Sequence, residues 1–128
     1  MSSKALDNAR RALAQLEAFL ATPVEDDRDR AGVIQAFEFT FECVWRLLKH
    51  AGEVQGLGAA SPKRALSVGY RLGLIDDESL WLEMLRDRNL TSHTYNTEIA
   101  AAILIHIRQS YRQALADAVA TAAVELDT

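Results

Sequence analysis

The side chains best suited to chemistry lie in one short stretch, RDRNLTSHTYN, which runs from Arg86 to Asn96. This stretch holds two arginines, a histidine, a tyrosine and three hydroxyl residues, and Leu90 is its only aliphatic residue. The segments before and after it have the apolar periodicity of helices, and connections between helices are usually short turns. So much charge and hydrogen-bonding capacity at a junction makes it a candidate functional site.

Within this stretch, Arg88 and His93 supply the two kinds of group that cleavage of RNA without a metal requires, a cation for the phosphate and a group that transfers a proton. The arginine guanidinium is a planar fork of donors that matches the oxygens of a phosphate. A histidine can transfer a proton near neutral pH, to or from the 2′-hydroxyl or the leaving oxygen. A plainer interpretation stays open, in which Arg88 caps a helix end and pairs with an acid, while His93 and Tyr95 fill a polar loop.

The spacing of the motif also predicts its local structure. In an unbroken helix, Arg88 and His93 would diverge by roughly 140° around the axis, so they can converge only if the helix ends between them. Thr91 and Ser92 favour caps and turns over helix interiors. Beyond such a break, an extended chain would bring His93 and Tyr95 to one side, because alternate residues of extended chain point the same way.

The elements that must position this site are helices. Apolar residues recur at steps of three and four along most of the chain, and no segment alternates with period two. The predicted starts and stops include an N-cap at Ser61 before Pro62, a stop at Gly73, and N-caps at Asp76 and Asn96. The stripes expected to face the core are Leu6, Ala9, Leu13, Leu16 and Leu20 in the first helix; Ile34, Phe37, Phe41, Val44, Leu48 and Ala51 in a second helix from about 29 to 51; Leu80 or Trp81, Met84 and Leu85 before the motif; and Ile99, Ile103, Ile107, Tyr111 and Leu115 in the last helix.

We therefore predict a single all-α domain over residues 1–128, an antiparallel four-helix up-down bundle with an additional short helix. A chain of 128 residues with 49% hydrophobic and 25% charged residues can bury an ordinary core. The net charge of −4 argues against non-specific coating of nucleic acid, although it leaves room for one locally basic pocket. The chain lacks a membrane-spanning run and a signal peptide, so we expect a cytoplasmic protein.

Metal and cofactor chemistry finds little support in the sequence. The single cysteine, Cys43, allows neither an intrachain disulfide nor a thiolate metal cluster, and we expect a buried free thiol. His50 and His106 stand alone on helices without a Glu-x-x-His pairing, so we expect surface or hydrogen-bonded core residues and no bound metal. Glu42 is either part of a solvated or interface-facing stripe, or a carboxylate that faces the motif and orients Arg88 or His93.

Several segments of the chain also resemble a known protein superfamily. RNLTSHTY, from Arg88 to Tyr95, fits the motif R-x4-H-x-Y of the HEPN superfamily. The segments FEFTFECVWRLLK, SPKRAL and LGLIDDESLWLEMLRDRNLTSHTYN look like the nucleotidyltransferase substrate-binding protein branch of that superfamily. The likeness extends from about Val33 to Tyr111, which is most of the chain.

The resemblance implies a helical, usually dimeric subunit that works beside a minimal nucleotidyltransferase as a toxin–antitoxin pair. In its ribonuclease members the arginine and histidine cleave RNA without metal or cofactor, and the tyrosine can accept AMP from the partner, which blocks the nuclease. Carried over, Arg88 and His93 would be catalytic, Tyr95 the AMP acceptor, and Asn89, Ser92 and Glu42 supporting residues. The alternatives are a non-catalytic subunit that binds a nucleotide or substrate for the transferase, and a structural helical dimer.

Overall fold

The protein is a bundle of helices, described here from a computed structural model over residues 3–127. Within those residues there are no strands, and the all-α fold predicted from the sequence is confirmed. The helices are α1 (Lys4–Leu20), α2 (Asp27–Val54), α3 (Pro62–Arg71), α4 (Glu78–Asn89), α5 (Thr97–His106) and α6 (Arg112–Asp127), with a 3₁₀ turn at Leu90–His93 and a π turn at Ile107–Tyr111.

The longest helix, α2, lies at the centre of the bundle and packs against every other α-helix. Phe37, Phe41, Val44 and Leu48 on its predicted stripe are completely buried. The helix begins two residues before the predicted start, because the Asp26 side chain caps it by accepting from the Asp29 amide. It also continues to Val54, three residues past the predicted end.

The close packing of α2 against α3 depends on Gly52, which is buried near the end of α2. A Cβ atom at this position would lie 2.6 Å from Val68 Cγ1 and 2.8 Å from the Leu57 carbonyl oxygen. Because atoms cannot approach so closely, only glycine allows the two segments to meet here. The chain is therefore closely packed where α2 ends.

Most of the predicted helix boundaries are confirmed. Ser61 caps α3 by accepting from the Arg64 amide, and Gly73 follows that helix with a φ of 75°. Asn96 caps α5 by accepting from the amides of the second and third helical residues. One prediction was wrong: Asp77, not Asp76, caps α4, because its carboxylate lies three residues before the Leu80 amide that donates to it.

The last part of the chain is one long helical rod with a local irregularity. α5 passes into the π turn at Ile107–Tyr111 and then into α6, so the predicted final helix continues to Asp127. π turns of this kind interrupt α-helices and are frequent at functional sites. Ile107 and Tyr111, at the two ends of the turn, are both buried against the core. No helix among the described residues is long and apolar enough to cross a membrane.

Candidate functional site

The α4 helix ends within the motif, as the sequence predicts. α4 stops at Asn89 and the chain continues as a 3₁₀ turn from Leu90 to His93. The prediction of extended chain beyond the break was wrong. The hydroxyl of Thr91 lies 2.7 Å from the Arg88 carbonyl oxygen, and that of Thr94 donates to the Thr91 carbonyl at 3.1 Å, so these side chains bond to the turn behind them and keep the chain coiled.

His93 and Tyr95 meet through this turn. His93 Nδ1 lies 3.4 Å from Tyr95 Oη, and the two rings pack edge to face with centroids 5.9 Å apart. Both side chains are exposed, and Tyr95 is 83% accessible. The imidazole and the phenol are thus neighbours on the surface of the protein.

Arg88 points toward α2. Its Nη2 donates to Glu42 Oε2 at 2.9 Å, and its Nη1 donates a long hydrogen bond of 3.4 Å to Asn89 Oδ1. Arg88 Nε is buried and has no hydrogen-bond partner among the described residues. Within the same residues, no hydrogen bond joins Arg88 to His93. The arginine and the histidine therefore flank the break, and Glu42 orients the guanidinium.

Glu42 accepts hydrogen bonds from three side chains at once. Besides Arg88, Trp45 Nε1 donates to Oε2 at 2.9 Å and Arg46 Nη2 donates to Oε1 at 3.0 Å. Partial burial would raise the pKa of Glu42, but the hydrogen bonds from Trp45 and Arg46 and the charge of Arg88 together lower it. Of the two interpretations offered by the sequence, the geometry is that of a carboxylate facing the motif.

A second contact joins the 3₁₀ turn to α2. The Thr91 hydroxyl donates to Glu38 Oε1, 2.6 Å away, one helical turn before Glu42. Glu38 and Glu42 thus bind successive parts of the motif from one face of α2. Ser92 lies on the exposed side of the same turn.

Asp87, to which the sequence patterns assigned no role, proves to be one of the two buried polar residues among those described. Its Oδ2 accepts from Tyr111 Oη at 2.5 Å and lies 2.6 Å from His106 Nδ1. Burial and this bond to Asp87 raise the pKa of Tyr111 well above its usual range. His106 is thus a hydrogen-bonded residue, one of the alternatives expected. The role of Asp87 could have been predicted from its position, because it lies three residues after Met84 on the buried stripe of α4.

The described residues contain no group of three His, Cys, Asp or Glu side chains arranged to hold a metal ion. The groups at the site are a guanidinium, an imidazole, a phenol and several hydroxyls. Such a set can bind an anionic phosphate and move a proton.

A helical bundle with R-x4-H-x-Y across the break after α4 is a HEPN-type protein. The family described as "Nucleotidyltransferase substrate binding protein like" matches residues 4–122, and the chain belongs to this family. The resemblance drawn from the sequence is thereby confirmed.

Three proteins illustrate the relationship. The chain is 39% identical over 82 residues to a Haemophilus influenzae protein named "Probable ribonuclease HepT", and this match covers 60% of the chain and 56% of that protein. A crystal structure from Thermus thermophilus superposes with a TM-score of 0.82 at 34% identity, covering 89% of this chain and 98% of the other. A second structure, from H. influenzae and described as the substrate binding domain of a nucleotidyltransferase, gives a TM-score of 0.68 at 28% identity, covering 92% and 93%.

Proposed function

We propose that this protein is the toxin-type, metal-independent ribonuclease subunit of a two-gene module, and that a minimal nucleotidyltransferase silences it. The observation that carries the proposal is the exposed imidazole of His93, set by the 3₁₀ turn against Tyr95 and just past Arg88. The name of the H. influenzae relative supports the ribonuclease, and the family description supports the nucleotidyltransferase partner.

The chemistry follows from these side chains. The 2′-hydroxyl oxygen of RNA attacks the adjacent phosphorus, the bond to the 5′-oxygen breaks, and a 2′,3′-cyclic phosphate and a 5′-hydroxyl form. His93 transfers a proton in this step, and Arg88 stabilises the negative charge that gathers on the phosphate oxygens. Glu42 orients the guanidinium through Nη2, while Nη1 has only a weak bond to Asn89 and can turn to the phosphate. Ser92 and Asn89 add hydrogen-bonding capacity at the rim of the site.

Regulation acts on Tyr95 in this proposal. The phenol oxygen attacks the α-phosphorus of ATP bound to the partner, the bond to the β-phosphate breaks, pyrophosphate leaves, and the phenolic proton is lost. AMP attached to Tyr95 would cover His93, which is in direct contact with it. The added group also brings negative charge where an RNA phosphate would bind.

The test of catalysis is cleavage of a labelled RNA in EDTA by protein confirmed by mass to be free of AMP. We expect 2′,3′-cyclic phosphate ends from the wild type, and a loss of about 100-fold to 10,000-fold in His93→Ala and Arg88→Ala. Arg86→Ala and His50→Ala are the matched controls, because Arg86 is exposed on the last turn of the same helix and His50 lies on α2 outside the motif. Equal cleavage by all variants would mean a contaminating nuclease and would refute the assignment.

The test of regulation is the intact mass after co-expression with the neighbouring nucleotidyltransferase. We expect the mass to increase by one or more adenylyl groups in the wild type and in Tyr70→Phe, another exposed tyrosine. Tyr95→Phe should stay unmodified. An unshifted wild-type mass, or a shift that persists in Tyr95→Phe, would count against AMP transfer to Tyr95.

One observation favours a second function, that of a non-catalytic nucleotide- or substrate-binding subunit of the transferase. The shortest hydrogen bond of Arg88 goes to Glu42, which occupies one edge of the guanidinium. The second H. influenzae protein is described as a substrate binding domain. If AMP-free wild type cleaves no RNA but binds ATP or the transferase, this function replaces the first.

A further inference from the structure

A cavity of about 280 Å³ opens beside Tyr95. It lies between the first turns of α2 and α5, and Tyr95 forms part of its wall. The same phenol touches His93, so the cavity adjoins the candidate site across one aromatic ring. It plays no part in the proton and phosphate chemistry proposed above.

The lining of this cavity divides into an apolar floor and a polar rim. Ile34 and Ala100 form the floor and are almost completely buried, with exposed fractions of 3% each. Arg30 stands on the rim with the hydroxyl residues Thr94 and Thr97. An apolar surface bordered by an aromatic ring suits a nucleobase, and a guanidinium with hydroxyls suits a phosphate and a ribose.

The charge on this rim can be redirected to a ligand. Arg30 donates to Asp27 at 2.5 Å; the Arg30 side chain is 21% exposed and the Asp27 side chain is 84% exposed. Because water reaches the carboxylate of this ion pair, the pair is weakened and a phosphate can compete for the arginine. The Asp27 carboxylate would then accept from ribose hydroxyls.

We propose that this cavity is a nucleoside monophosphate subsite, which deepens the proposed function and rests on it for the biological ligand. The unit can come from two sources that share this chemistry. One is the RNA nucleotide next to the phosphate at His93. The other is the adenosine of an AMP attached to Tyr95.

The probe for binding is 5′-AMP, titrated into protein with labelled isoleucine and alanine methyl groups. We expect the methyl signals of Ile34 and Ala100 to shift in the wild type. Ala31→Trp should abolish the shift, because Ala31 is exposed on the cavity rim and a tryptophan there fills the space. Ala120→Trp is the control, since Ala120 is an exposed alanine of α6. Arg30→Gln should weaken AMP binding on the order of tenfold, and Arg28→Gln, also in the first turn of α2, should not.

Two further measurements distinguish an RNA nucleotide from the AMP on Tyr95 as the occupant of the cavity. An oligonucleotide with a single 2′-deoxy nucleotide at the cut cannot be cleaved, and a shift of the same two methyl signals on its addition identifies RNA as a source. A shift in adenylylated protein without added ligand identifies the AMP on Tyr95. If AMP, the oligonucleotide and adenylylation all leave Ile34 and Ala100 unshifted, or if AMP shifts them equally in Ala31→Trp, the subsite is refuted. Failure of the wild type to cleave RNA refutes the ribonuclease and leaves the AMP result standing.

Discussion

Glu42 links Arg88 of the motif to α2, the central helix of the bundle. Its carboxylate binds Arg88 from another helix and Trp45 and Arg46 from its own. Removal of its charge would leave the Arg88 guanidinium without its nearest counter-charge. In the reaction proposed above, Glu42 would therefore act through Arg88, as a positioning residue.

This role leads to a pH-dependent prediction for Glu42→Gln. The pKa of Glu42 is lower in the folded protein than its ordinary value of 4.5, so its ionised form stabilises the fold above that value. This contribution is lost as the pH falls through the lowered folded-state pKa. We expect Glu42→Gln to melt at a lower temperature than the wild type at neutral pH, and the gap to close in acid, as followed by circular dichroism. A gap that stays constant from neutral to acid pH would show that the carboxylate charge does not matter.

Tyr111 is the second residue whose surroundings allow a prediction. Its hydroxyl donates to the buried Asp87, and its ring stacks on Phe37 with centroids 5.5 Å apart. Tyr111→Phe keeps the ring and removes one donor from a buried carboxylate. We expect a loss of about 1–3 kcal/mol in the free energy of unfolding, measured with urea. The control is Tyr70→Phe, at an exposed position, where the change should stay within about 0.5 kcal/mol. Equal effects of the two substitutions would contradict the buried network.

At the level of elements, His93 is positioned by the 3₁₀ turn that carries it, and the turn is positioned by its contact with α2. The Thr91 hydroxyl is the contact between them, because it is 2.6 Å from Glu38 on α2 and 2.7 Å from the Arg88 carbonyl. The hydroxyl has one proton and can donate it to only one of these oxygens at a time. Glu38 and the Arg88 carbonyl therefore compete for the same hydrogen bond. A β-branched residue without the hydroxyl would leave Glu38 without this donor.

We therefore predict different outcomes for two substitutions of nearly equal size at this position. Thr91→Val should lower the free energy of unfolding by about 1 kcal/mol, because it removes the donor but keeps the shape. It should also reduce RNA cleavage by loosening the turn that carries His93. Thr91→Ser keeps the hydroxyl and should stay closer to the wild type in both urea denaturation and the RNA assay. If the valine variant cleaves RNA as fast as the serine variant, the contact with α2 does not position the site.

At the level of the whole molecule, a large apolar side chain stands beside the site. Phe39 is 56% exposed and lies three residues before Glu42, on the same side of α2. We propose that this face meets a second copy of the chain, because the resemblance drawn from the sequence implies a dimer. A phenylalanine in contact with a partner subunit loses its unfavourable exposure to water.

The corresponding prediction concerns oligomeric state. In sedimentation velocity at micromolar concentration, we expect the wild type to be a dimer and Phe39→Ser to shift toward monomer. Tyr70→Ser, which removes an exposed aromatic residue from α3, should leave the dimer intact. Dimers of equal stability in both variants, or a monomeric wild type, would argue against this face.

The sequence by itself determined the helices, most of their ends and the family. Periodic stripes such as Leu6 to Leu16 and caps such as Ser61 and Asn96 are local properties, since they depend on residues three or four positions apart. The break after Asn89 was also predictable, because Thr91 and Ser92 disfavour a helix interior. The conformation of the chain beyond the break was not predictable. The choice between extended chain and a 3₁₀ turn depends on which carbonyl oxygens the threonine hydroxyls contact.

Only the tertiary structure decided which side chains meet across helices. The bond from Arg88 to Glu42 spans 46 positions, and the bond from Thr91 to Glu38 spans 53. Asp87 meets Tyr111 because α4 and the π turn of the last rod face each other in the core. Such contacts depend on the relative rotation and height of packed helices, which the periodicity of each helix alone does not specify. The sequence thus indicated the motif and offered a motif-facing Glu42 as one of two interpretations, whereas the bonds from Arg88 to Glu42 and from Thr91 to Glu38 came only with the packing.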